Sequence, residues 1–156
     1  MKKVLLLVAS HLAVLAAGFA LGIYLLPILT APDGPTASQV QAATGDAVFR
    51  GRFQRNLSGS DLLHWGEGEV LIGKRSISLI GKVSPGPDYK LYLVPAFVED
   101  EAQFLKLKSQ SLRIGDIKTF ENFIVPVPDG VDIERFNTVL VWCETFSEFI
   151  SATKYR

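Results

Sequence analysis

The chain has 156 residues, 48% of them hydrophobic, and its 16 Lys and Arg residues are balanced by 16 Asp and Glu. That length leaves room for one folded domain of roughly 110 residues beyond an apolar N-terminal stretch, and the well-mixed charge excludes a field that would gather nucleic acid or anionic lipid. The single cysteine, Cys143, excludes an intramolecular disulfide and any Cys-rich zinc or iron–sulfur site, leaving only an intermolecular bridge.

The first element is a membrane segment. Between Lys3 and Leu29 no residue is charged, and a helix of that length extends roughly 39 Å, enough to cross a bilayer with some tilt. A secretory signal core is about 7–15 residues long, so residues 1–29 read as a short cytoplasmic start and an uncleaved anchor. Lys2 and Lys3 precede the helix and no basic residue follows until Arg50. The N-terminus is therefore expected in the cytoplasm and the remainder in the periplasm or outside the cell. Gly18 and Gly22 form a small-xxx-small pair able to bring two helices together, one route to a homodimer. His11, alone within the span, is given no role. Residues 30–46, rich in Pro, Gly, Ala, Ser, Thr and Gln, read as a flexible tether, with the domain boundary near Asp46.

From residue 47 to 156 short apolar runs alternate with Gly, Pro, Asp, Asn and Ser, the pattern of strands and turns. Strands are expected at Val48–Gln54, Gly68–Ile72, Ser76–Lys82, Lys90–Pro95, Phe120–Val125, Thr138–Cys143 and Glu148–Ala152. The fold class is all-β, a sandwich or partly open barrel of about seven or eight strands. Val98–Lys108 is open between a short helix and an exposed hairpin. The nearly continuous apolar run Thr138–Cys143 suits a central strand covered on both faces. Pleating sends Val139, Val141 and Cys143 one way and Leu140, Trp142 and Glu144 the other, with Cys143 at the strand's end, near the surface.

Val139-Leu140-Val141-Trp142-Cys143-Glu144-Thr145-Phe146-Ser147, Gly86-Pro87-Asp88 leading into Leu91-Tyr92-Leu93, and His64 with Gly66 and Gly68 together resemble the DM-thirteen family. This is a small extracytoplasmic β module often found beside DOMON domains and associated with electron transfer. The similarity runs from about Ala47 to Tyr155. It implies a redox role resting largely on one cysteine, with no cofactor in the chain itself and a haem- or quinone-linked protein as partner.

For Cys143 three readings compete: a buried structural thiol, a redox thiol cycling through sulfenic acid or a mixed disulfide, and a disulfide between two copies. Reactivity requires thiolate character, which burial beside Trp142 would oppose, as would Glu144 if it lies close in space. His64 is the domain's one histidine, a candidate ligand or a partner for Cys143 if the fold brings them together. No set of residues marks a metal site. Asp88 reads as a turn residue capping its own backbone. The alternative to redox chemistry is a non-enzymatic module binding a ligand or an envelope protein, with Trp65, Tyr89, Tyr92 and Phe97 as a stacking platform or as ordinary core.

Overall fold

The computed structural model describes residues 1–45 and 47–156; Asp46, where the domain boundary was expected, lies outside them. Helix α1 (Lys2–Thr30) carries Pro27 in its last turns and is long and apolar enough to cross a bilayer. His11 turns its Nδ1 to the Leu7 carbonyl at 2.8 Å, so its polarity is met within the helix itself.

The stretch read as a flexible tether contains helix α2 (Ala37–Ala43). A capping box explains its start: the Thr36 hydroxyl accepts from the Gln39 amide while the Gln39 side chain accepts from the Thr36 amide. Val40 is fully buried, and the Ser76 hydroxyl donates to the Ala43 carbonyl. One apolar side chain among small polar ones leaves no periodicity to read, yet it pins the segment to the domain.

Eight strands follow: β1 (Phe49–Phe53), β2 (Gly66–Ile72), β3 (Ser76–Val83), β4 (Tyr89–Val94), β5 (Leu112–Ile117), β6 (Glu121–Pro126), β7 (Thr138–Cys143) and β8 (Glu148–Lys154). They form two antiparallel four-stranded sheets, ordered β1-β2-β3-β6 and β5-β4-β7-β8. The edges approach one another, with the Arg52 amide donating to the Thr153 hydroxyl where β1 meets β8, so the sandwich is a partly closed barrel. Strand β5 is the one the pattern reading missed. Arg113, Gly115 and Asp116 interrupt its apolar residues, and a register shift opposite Leu91 and Tyr92 breaks the alternation. Gly68 and Gly81 stand opposite each other at positive φ with their backbones too close for any Cβ, which is why both are glycine.

Between the sheets lies the main core, with Val70, Ile72, Ile77, Leu79 and Phe123 from one and Leu91, Leu93, Val139, Val141 and Cys143 from the other. A second cluster covers the outer face of the β5-β4-β7-β8 sheet. There Val98–Lys108 resolves as helix α3 (Glu101–Leu107), whose N-cap Asp100 accepts from the Gln103 amide at 2.8 Å. Its Phe104 is fully buried against Tyr92 and Trp142. The alternation expected along β7 is present, and the strand lies inside its sheet.

Candidate functional site

Cys143 ends β7 directly opposite Tyr89, the first residue of β4. It does not reach the surface as expected. Only 2% of it is exposed, because the turn 144–147 folds back over the strand's end, held by the Glu144 amide donating to the Asp88 carbonyl at 3.0 Å and by Ser147 at φ 55°. Burial pushes the thiol up; the backbone amides of Phe146, Asp88 and Thr145 pull it back without cancelling the rise, to which the Asp88 carboxylate adds. Glu144 points to the other face of the sheet, so the closeness that its opposition to the thiolate required is not met, while the rise expected from burial is present.

Beside the thiol is a cavity of about 370 Å³ lined by Cys143, Tyr89, His64, Leu63, Phe146, Glu148 and Ile150, with the Pro85–Pro87 turn and Ala20, Ile23 and Tyr24 of α1 completing its wall. Gly86 is required here, since a Cβ would overlap the ring and hydroxyl of Tyr89. Tyr89 is packed edge-on against Phe120 at 6.0 Å and its hydroxyl lies 3.4 Å from that of Ser84; burial raises its pKa, so it stays a neutral phenol.

His64 is brought to the same cavity by a tight turn. The Asp61 carboxylate accepts from the Leu63 and His64 amides, each at 2.7 Å, and meets the His64 Nδ1 at 3.0 Å. Burial alone would raise the Asp61 carboxyl, but these hydrogen bonds outweigh it and hold it below its usual range. With Nδ1 engaged by a carboxylate, Nε2 is the ring atom left for a proton transfer. Asp61 orients His64, and His64 and Cys143 line the same cavity without a direct hydrogen bond between them. Sequence reasoning paired His64 with Cys143 only conditionally and missed Asp61, whose signal is the Asp-x-x-His spacing.

The other candidates do not join this group. Trp65 lies under the Arg55 guanidinium at 3.3 Å, and Arg55 is itself held in a bidentate pair by Glu67, so the indole face is occupied. Tyr92 faces the outer cluster and donates its hydroxyl to Glu144. The four aromatics therefore form no common platform, because Tyr89 and Tyr92 are an odd number of residues apart on one strand. Asp88 does not cap its own backbone; its carboxylate pairs with Lys90 at 2.6 Å and accepts from the Thr145 hydroxyl at 3.2 Å, tying the two turns that frame Cys143.

Residues 53–155 match the family model described as Electron transfer DM13. The chain belongs to the DM13 family. The match begins within β1 and ends after β8, so it takes in Cys143, His64 and Tyr89 together. No match was found among curated proteins or among solved structures.

Proposed function

We propose that this DM13 protein is a membrane-anchored extracytoplasmic domain that exchanges electrons through Cys143. The observation carrying the proposal is the shared cavity, which a buried thiol and a carboxylate-oriented histidine line together. His64, across the shared cavity, is the base available for the thiol proton through a solvent molecule, and the amides of the 144–147 turn favour the thiolate that results. Oxidation to sulfenic acid takes an oxygen from water and releases two electrons and two protons, which reduce one quinone to the quinol; a haem partner would take the electrons singly. Lys2 and Lys3 ahead of the helix support a cytoplasmic N-terminus, and Gly18 and Gly22 offer a helix face for a second copy.

The test is the pH dependence of Cys143 alkylation in the folded full-length chain, compared with the unfolded chain. A small reagent is expected to modify the folded protein slowly, with a rate that rises toward a thiol pKa above the usual value of about 8.5, and H64Q is expected to slow it further at neutral pH. A thiol that reacts only after global unfolding would overturn the redox reading.

One observation favours a second reading, a binding module: burial keeps the thiol protonated at rest, and most of the cavity wall is apolar. A ligand that binds only the folded state must raise the unfolding midpoint. A thermal-shift screen across quinones, haem, flavins and sugars, run on C143A, separates the two, since binding survives that substitution and electron exchange does not.

A further inference from the structure

One end of the sandwich gathers the loops containing Leu62-Leu63-His64, Pro85-Gly86-Pro87 and Thr145-Phe146, and all three lie against the C-terminal half of α1. Leu63, His64 and Phe146 share a cavity with Ala20, Ile23 and Tyr24, while Pro87, Thr145 and Phe146 share another of about 780 Å³ with Gly18, Phe19, Gly22 and Leu26. About 20 residues of helix cover the roughly 30 Å of bilayer hydrocarbon. Counted from Val4, that span closes at Ile23, and Tyr24 follows as the residue type that settles at the headgroup level. The helix residues that share these cavities with the domain run from Gly18 to Thr30, from the outer part of that span to beyond its end.

At this same end the domain exposes apolar side chains that its core does not use. Leu62 is 95% exposed, Leu63 55% and Phe146 48%. Leu62 and Leu63 are held outward by a rigid turn, closed by the Asp61 amide donating to the His64 carbonyl at 2.9 Å and by the Asp61 carboxylate on the next two amides. A turn so fully bonded does not fold its two leucines away, and water is a costly place to leave them. Their continuity with a helix of lipid-crossing length identifies what covers them.

We infer that this end of the sandwich rests on the outer leaflet, with Leu62, Leu63 and Phe146 inserted at the level of the headgroups and upper acyl chains. The inference rests on the membrane reading of α1 and extends it. The Cys143 cavity then opens toward lipid, and what enters it arrives from the bilayer, as an apolar or amphipathic small molecule.

The experiment uses the full-length chain in phosphatidylcholine nanodiscs. Single nitroxide labels are placed by L15C, L62C, F146C and K74C, the last in the β2–β3 turn at the opposite end of the sandwich, in a C143A background. Collision rates with oxygen and with a water-soluble nickel chelate give each label's depth. The expected result is a deep label at 15, interfacial labels at 62 and 146 shielded several-fold from nickel, and a water-exposed label at 74. Labels at 62 and 146 as open to nickel as that at 74, with 15 still deep, would overturn the inference and leave the anchor intact. A water-exposed label at 15 would overturn the anchor and the inference with it. Should C143A prevent folding, L62W in the native-cysteine chain replaces the labels: brominated lipid must quench the added tryptophan well beyond the quenching of the parent chain, and equal quenching overturns the inference.

Discussion

Two neighbours on β7, Trp142 and Cys143, face opposite sides of one sheet and meet opposite chemistry. Trp142 is sealed by α3: Phe104 packs on it at 4.8 Å, Lys108 stands 5.1 Å from its ring centre, and Lys108 pairs with Glu144 at 2.7 Å. Cys143 is equally buried, yet beside it lies a cavity bounded by Tyr89, His64 and the loops against α1. Burial alone therefore does not define a role. The outer face is closely packed, with Lys108, Glu144 and Tyr92 bonded at its rim, and stabilises the fold; the inner face at this one end leaves space beside a thiol, where space has a cost in lost packing.

If that division holds, substitutions on the two faces separate stability from reactivity. The largest effect is expected for F104A, a loss of about 3–5 kcal/mol in denaturant unfolding, since a fully buried ring leaves a cavity that the strands cannot collapse onto. Its alkylation rate at Cys143 should match the parent's under conditions where both are folded. A changed rate would mean that the faces are coupled through β7. On the inner face G86A should cost about 1–3 kcal/mol by driving a methyl into the Tyr89 ring, and it should also alter Cys143 alkylation, because the displaced ring moves within the shared cavity. C143S introduces a buried hydroxyl and should cost about 1–3 kcal/mol, with C143A closer to the parent. Both should abolish electron exchange, and activity retained in C143A would make the thiol structural.

The same contrast decides what could be read from the sequence. Alternation along Val139–Cys143 placed Trp142 and Cys143 on opposite faces, and the Gly-Pro-Asp turn marked the start of β4, because both depend on local spacing. The fold class followed from strand-and-turn punctuation. What escaped was set by tertiary contact. Strand β5 pairs through a register shift with charged residues in its middle, α2 is held by the single side chain of Val40, and the burial of Cys143 depends on a turn folding over it. The carboxylate of Asp88 was assigned to its own backbone, whereas Lys90 and Thr145 outcompete that short-range bond once β4 and β7 pair. The cavity is assembled from four separate segments, so no window of sequence contains it.

The smallest expected effect concerns acid stability on the outer face. Partial burial alone would raise the Glu144 carboxyl, but hydrogen bonds from Lys108 and Tyr92 outweigh it and hold the group below its ordinary value of 4.5. A carboxyl depressed in the folded state contributes stability that is fully present above the unfolded value and is lost as pH falls through the lower folded value. Stability should therefore be level from neutrality down to about pH 5 on this group's account and decline below it. E144Q should flatten that decline while changing stability at pH 7 by about 1 kcal/mol or less, since the pair with Lys108 is partly exposed and screened. Urea midpoints of parent and E144Q between pH 3 and pH 7 provide the measurement. Parallel curves would show that Glu144 is not anchored to Lys108 and Tyr92 in solution, and the outer face would lose its claim to be the bonded half of the molecule. Cys143 alkylation in E144Q should match the parent throughout, because the carboxylate and the thiol lie on opposite sides of the sheet.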